Sequence, residues 1–463
     1  MRQSSMKSLI FSGRSFALLL IAFLFVGLSS KAQAVPSFSR QTGMTCLACH
    51  TAFPELTPYG RWFKLNGYVS GEADKVTEKS DAGDVSLDIL KGTPLSAMIQ
   101  VTDTFVQKPT VTGPAPGDDG MGVLGFPEQM SLFYAGEITP NLGAFAQMTY
   151  DFQSGYLHSD NTDIRYTTHF DAGGRDAIWG FTLNNNPSVQ DVYNSTPAWG
   201  FPYSASATTP KPGASVQITS MGGSVGGLGT YLSLDKLLYA EVAAYRDAPQ
   251  GGSTPSEVIQ GYAPYWRLAL SQELDDQSFE IGGFGLFENA EPTASYLSGG
   301  STLTGIPSPG KADYYEDWGI DAQYQYTTKD HQLSAQASWI REYQTLNSTS
   351  FNDSGMINLK NQLEQLKVNL TYYYQRKIGA TIGYFGLGGT YDTGLYGAGF
   401  ANGNPETQGM VYELNYLPWL NTKLTLQYTQ YFKYNGGATD PYDGGTRMAS
   451  DNNTVMAMAW FAY

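Results

Sequence analysis

Leu366, Val368, Leu370, Tyr372 and Tyr374 alternate along the chain with Lys367, Asn369, Thr371 and Tyr373. A period of two sends the two sets to opposite faces of a β-strand. The same alternation recurs over 142–151 and 423–429. About sixteen such segments follow one another, near 96–107, 128–138, 141–152, 160–171, 175–183, 227–234, 236–246, 260–275, 278–288, 313–327, 330–344, 364–375, 377–391, 408–416, 421–433 and 452–463. Their connections sort by length. Those near 139–141, 172–174, 234–235, 275–277, 329–330, 376–377 and 417–418 are tight. Those between are mostly long: 108–127, 184–226, 289–312, 345–363, 392–407 and 434–451. An even strand number, short turns at one end and long loops at the other is the pattern of an outer-membrane barrel. Lipid tolerates no open strand edge, so the sheet must close. The expected fold is all-β: an antiparallel outer-membrane β-barrel of ~16 strands over 92–463, apolar faces to lipid and polar faces to the lumen. A soluble sandwich or propeller would also alternate. Its loops would not sort by length, and no blade-length repeat is present.

Composition agrees. Aromatics reach 14%, with 32 Tyr and 8 Trp to furnish interfacial girdles. Charged residues are 15%, against about 25% in an ordinary soluble domain. A net charge of −15 argues against a nucleic-acid partner, because phosphate binding wants a basic face. Lys7 and Arg14 precede a 13-residue apolar run, Phe16 to Leu28, and then Ala32-Gln33-Ala34. That is the pattern of a secretory signal peptide over 1–34, so the chain is expected to be exported.

An exported chain with two cysteines would ordinarily pair them. Here they stand three apart in CLACH: Cys46, Leu47, Ala48, Cys49, His50. A disulfide or a redox thiol pair would fit the cysteines alone. The histidine favours c-type haem attachment. Two thiols at this spacing can add to the two vinyl groups of one haem, and His50 can supply the proximal iron ligand. The expected cofactor is one covalently bound haem c. A thioredoxin-like motif would want a βαβ context, which is absent.

The haem segment and its linker run from 35 to 91. A segment this short stands near the size at which a domain needs a metal or another staple. Phe53, Pro54, Pro58, Tyr59, Trp62, Phe63 and Tyr68 are its expected core. Residues 71–91 are polar and charged and read as a linker. Electron tunnelling falls steeply with distance, and the hydrocarbon band is ~25 Å tall. A single haem serves both sides of a membrane only from inside the barrel or at its rim, so the segment is expected to plug the lumen.

The stretch SFSRQTGMTCLACHTAFPELTPYGRWFKLNGY resembles the haem segment of the fused monohaem cytochrome–porin family, the outer-membrane Fe(II) oxidases of iron-oxidising bacteria. The likeness covers both cysteines, His50, Phe53-Pro54, Thr57-Pro58, Gly60-Arg61 and Phe63-Lys64. The loop NNNPSVQDVYNSTPAWGFPY, Asn184 to Tyr203, is similar to that family as well. The resemblance implies oxidation of extracellular Fe(II) at the haem, with electrons passed inward to a periplasmic c-type cytochrome. The alternatives are a haem-bearing conduit with another donor or acceptor, and a diffusion porin with a structural haem segment. Porins of this size are often homotrimers, so a trimer is one expected assembly.

The sixth haem ligand is not written in the motif. A methionine there raises the potential, whereas a second histidine generally lowers it. His169 shares a face with Arg165, Thr167 and Asp171 and is expected in the lumen near the short-turn end. Met98 has lumenal phase near the start of the first strand. These two are the candidates, beside another methionine, water or an open position. His158 reads as part of a long-side loop, and His331 has lipid-facing phase at a turn. Carboxylates suit hard iron, and Asp118, Asp119, Glu288, Glu291 and Asp353 lie in or beside the long loops. An outer-sphere reaction would need no pocket. No nucleophilic triad or nucleotide-binding glycine loop is evident.

Overall fold

The computed structural model describes residues 36–463 except 52, 72, 80–85, 109–122, 152–154, 188, 190, 194–201, 203, 204, 223, 249–256, 293–310 and 353–356. The signal-peptide segment, Asp118, Asp119 and Asp353 lie outside the described residues.

Three short helices come first: α1 (Pro36–Thr42), α2 (Cys46–Cys49) and α3 (Pro58–Leu65). A hairpin follows, β1 (Lys75–Lys79) and β2 (Ser86–Leu90). The long sheet then begins with β3 (Leu95–Val106), β4 (Val123–Thr139), β5 (Leu142–Asp151), β6 (Tyr156–Asp171), β7 (Asp176–Asn184), β8 (Val225–Leu234) and β9 (Leu238–Asp247). After a short strip, β10 (Glu257–Ile259), come β11 (Ala263–Leu274), β12 (Gln277–Pro292), β13 (Asp313–Thr327), β14 (His331–Thr345) and β15 (Lys360–Tyr374). β16 (Ile378–Gly389), β17 (Thr407–Trp419), β18 (Thr422–Lys433) and β19 (Thr454–Ala462) complete it.

Each barrel strand pairs antiparallel with the next, and β9 pairs directly with β11. The last strand returns to the first, Ala462 opposite Met98 and Thr454 opposite Val106. Among the described residues, sixteen strands therefore close on themselves, with β10 as an added strip on β12. Closure satisfies every ladder without an edge, as a hydrocarbon environment demands. Leu366, Val368, Leu370 and Tyr372 face outward and exposed, while Asn369, Thr371 and Tyr373 on the same strand are buried inside. No helix among the described residues is long and apolar enough to cross a membrane; the strands cross it. The chain is an integral outer-membrane β-barrel.

Tight reversals define one end. At the β8–β9 turn Asp235 and Lys236 both take positive φ, 52° and 57°, the type I′ geometry whose twist matches that of its flanking strands. The opposite end carries the long connections. The structure departs from the sequence reading in three places there and at the N-terminus. β4 and β6 begin earlier than the alternation suggests, at Val123 and Tyr156, so His158 sits on a strand rather than in a loop. The connection between β5 and β6 is short although it lies at the long-loop end. The supposed linker contains the β1–β2 hairpin, fastened to β4 by Lys75, which pairs with Glu137 and stands 3.6 Å from Asp88. Its polarity misled: both faces of a two-stranded ribbon can be solvated, so it needs no apolar run.

The helical segment lies inside the barrel at the short-turn end. Ser37 N–H donates to Ser96 Oγ at 2.9 Å, and Gln41 Nε2 donates to the Ala135 carbonyl at 2.8 Å. Across the lumen Arg61 donates to Gln325 at 2.8 Å and to Gln323 and Ser278 at 3.1 Å. The Tyr231 hydroxyl donates to the Leu65 carbonyl at 2.7 Å, and that of Tyr68 to Asp163 at 2.6 Å. These anchors on β3–β4, β6, β8 and β12–β13 make the segment a plug braced against several walls. From the other end the β7–β8 connection folds into the lumen. Asp191 on it pairs with the fully buried Arg267 at 3.5 Å, and its Val189 and Asp191 carbonyls accept from Lys64.

Candidate functional site

The CLAC helix α2 is held by α3. Thr57 caps α3, accepting from Gly60 N–H at 3.1 Å, while its own hydroxyl donates to the Ala48 carbonyl at 2.6 Å. Thr57 N–H donates to the Cys49 carbonyl at 2.9 Å. Gly60 meets the same carbonyl so closely that a Cβ there would overlap it. Glycine is required by this approach of two backbones.

Cys46 and Cys49 are thiols rather than a disulfide. Both border a cavity of about 460 Å³ inside the barrel, and His50 borders it with them. That volume falls within the usual range for cofactor sites. Its walls come from three parts of the chain. The plug gives Phe38, Phe53, Pro54, Phe63 and Tyr68; the barrel gives Met98, Gln100, Phe133, Phe145, Lys367 and Trp460; the inward loop gives Val189 and Pro202. Aromatic rings thus come from plug and barrel alike, and the barrel adds amides and charge.

Two further observations bear on how far the site suits thiol chemistry or haem attachment. Burial, and the neighbouring Cys46, push the Cys49 thiol up to about 11. A redox-active Cys-x-x-Cys wants the reverse, a thiol lowered toward neutrality. Meanwhile the His50 Nδ1 stands 3.2 Å from the Pro54 carbonyl and 3.3 Å from that of Glu55. Carbonyls only accept, so Nδ1 carries the hydrogen and Nε2 the lone pair. Burial also holds this imidazole down to about 4, hence neutral at ordinary pH. A neutral imidazole oriented through its other nitrogen is the form that ligates a metal. Thiols, ligand tautomer and an aromatic cavity with a polar edge all fit a haem c.

Met98 projects from β3 into the cavity, buried, with Gln100 Nε2 donating to its Sδ at 3.8 Å. His169 is lumenal too, but elsewhere. Its Nε2 donates to Asn66 Oδ1 at 2.6 Å and its Nδ1 stands 3.7 Å from Asp176 at the short-turn end. It braces the plug and does not border the cavity. His158 pairs across to Thr149 on β5–β6. His331 faces outward at its turn, 2.8 Å from the Tyr372 hydroxyl. Glu291 is a solvent-side residue accepting from Gln260 at 2.8 Å, and Glu288 is buried. Among the described residues, no group of three or more His, Cys, Asp or Glu side chains is arranged to hold a metal ion.

Pro58, Tyr59 and Trp62 do not border the cavity. They look the other way, into a concavity of about 700 Å³ at the short-turn end, which Leu47 and Ala48 of α2 also border. The back of the CLAC helix is therefore open to the short-turn side. Sequence reasoning missed the anchors Arg61 and Lys64, and the inward course of the β7–β8 loop. Charged residues at helical spacing look solvated until the barrel is seen to enclose them.

No family model matches this chain, and no curated protein matches it. Among solved structures, the outer membrane channel DcaP of Acinetobacter baumannii aligns at 14% identity and a TM-score of 0.46, over 83% of this chain and 99% of that one. OmpF of Salmonella typhi, in complex with daunomycin, aligns at 15% identity and 0.44, over 80% and 97%. The loop L8 deletion mutant of OmpT of Vibrio cholerae aligns at 11% and 0.46, over 80% and 98%. At such distances the similarity concerns barrel architecture and nothing finer.

Proposed function

We propose that this chain is an electron conduit of the outer membrane, carrying one haem c in the lumen, oxidising extracellular Fe(II) and delivering electrons to a periplasmic c-type cytochrome. The observation that carries the reading is the convergence of Cys46, Cys49, His50 and Met98 on one cavity within a closed transmembrane barrel. When bound, the haem supplies a one-electron couple, which is what oxidising Fe(II) requires. The residues do the rest. Cys46 and Cys49 would hold the ring covalently, and His50 through Nε2 and Met98 through its thioether would be the side chains offered to the iron. Phe38, Phe63, Phe133 and Phe145, which line the cavity, would keep water from the ring. The plug anchors hold α2 between the lumen and the open concavity, where an electron acceptor on the periplasmic side can approach. The cytochrome–porin resemblance supplies Fe(II) as the donor.

The test is stopped-flow absorbance of the purified, oxidised protein mixed with Fe(II) at controlled pH. Growth of a reduced c-type α band supports the reading. A covalent haem that stays oxidised assigns another donor, and absence of covalent haem returns Cys46 and Cys49 to thiol chemistry. Diffusion through the lumen is the second reading, favoured by the strand number, since barrels of this size leave an aqueous channel. Ionic conductance in planar bilayers separates the two.

A further inference from the structure

Three charged side chains border the cavity: Lys64, Asp160 and Lys367. Two are satisfied. Lys64 donates to the Val189 and Asp191 carbonyls. Asp160 accepts from Thr149 at 2.9 Å and from Asn161 at 3.2 Å. Lys367 makes no hydrogen bond or ion pair among the described residues. It sits midway along β15, opposite Ser338 on β14 and Phe385 on β16, neither of which offers a carboxylate. Three ammonium donors thus converge on a partly buried space with nothing to receive them. An unpaired charge in such a place is unfavourable, and a carboxylate arriving with a ligand would relieve it.

A haem carries two propionate carboxylates on one edge of an otherwise apolar ring. The cavity offers both kinds of surface, aromatic rings from plug and barrel alike and the polar Gln100, Gln129 and Lys367 on the barrel wall. We propose that Lys367 binds a haem propionate, so that the barrel wall receives the cofactor's anionic edge while the plug holds its iron. This inference rests on the haem c reading above. It makes the barrel part of the redox centre rather than a sleeve around it. A cation at this position favours the reduced, less positive haem and so raises the potential.

The test compares the full-length wild type with K367Q and K367R, each matured with haem and purified from outer membranes. Covalent attachment, midpoint potential and the propionate bending band in resonance Raman spectra are measured. K367Q is expected to keep its covalent haem, to shift the ferric–ferrous equilibrium toward ferric by about tenfold, ~59 mV for one electron, and to move the propionate band. K367R is expected to restore the potential. An unchanged potential and band in haem-loaded K367Q overturn the role of Lys367 alone. A lowered potential with an unmoved band also overturns it, because the lysine then acts as a distant charge. If K367Q fails to assemble, the K367R band decides: guanidinium in place of ammonium must shift it, and an unshifted band overturns the inference. A wild type without covalent haem removes the underlying reading itself.

Discussion

At the scale of single residues, Met98 and Lys64 do different work in the same cavity. A thioether on iron raises its potential and gives ferric haem a far-red absorption. Met98→Leu should abolish that absorption and lower the midpoint potential by about the equivalent of tenfold, ~59 mV, with both thioethers intact; an unchanged spectrum excludes Met98 as ligand. Lys64 gives a pH dependence. Burial lowers its ammonium from 10.5 to about 8. When the plug separates from the inward loop, the lysine regains water and its ordinary value. Separation therefore takes up a proton between pH 8 and 10.5, and the contact strengthens as pH rises through that window, by up to ~1.4 kcal/mol per unit. Below pH 8 both states are protonated and the dependence vanishes. The neutral amine keeps two N–H donors for its two carbonyls. Rates of limited proteolysis, with a protease that does not cleave at lysine, should fall over this range in the wild type and stay flat in Lys64→Met.

At the scale of elements, the contact between α2 and α3 positions both thiols. Gly60→Ala must push the helices apart, since its Cβ would overlap the Cys49 carbonyl. Overpacking of this kind costs ~1–3 kcal/mol. Haem attachment per barrel, read by heme-stained gels, should drop severalfold while the barrel still resists unfolding by detergent. Thr57→Val, which deletes the cap and the bond to Ala48, should weaken the same contact by ~1 kcal/mol. The sequence carried much of this. Alternation from Leu366 to Tyr374 marked β15 and its faces, because a wall with lipid on one side and polar lumen on the other imposes period two on every strand. CLACH marked the candidate site, and the structure sets Cys46, Cys49 and His50 on one cavity. The strand starts at Val123 and Tyr156 were not legible, since Gly125 and Pro127 in the one and the polar run from Ser159 to Asp163 in the other break the alternation that reveals a strand. Nor was the role of Lys367. Its phase told that it points inward, but only the closed barrel brings β15 across from Cys46, more than 300 residues away in sequence.

At the scale of the whole molecule, the question is what the plugged barrel lets through. The plug fills the short-turn end and the β7–β8 loop enters from the other, meeting at Lys64. Wild-type protein should show little ionic conductance in planar bilayers. Gly143→Ala should raise it by about tenfold, because a Cβ on β5 would overlap the Gly67 carbonyl and drive the plug off its wall; a large conductance in the wild type would contradict the picture. Enclosure also orders the life of the chain. The cavity has walls from the plug, from β3, β4 and β15, and from an inward loop, and the seam between β3 and β19 joins the earliest barrel strand to the last. A rigid ring cannot be threaded into a space whose walls already surround it. On the proposed function, attachment at Cys46 and Cys49 would therefore precede closure of that seam, so that maturation of the plug and insertion of the barrel would form a queue. Chains halted before insertion should already carry their haem.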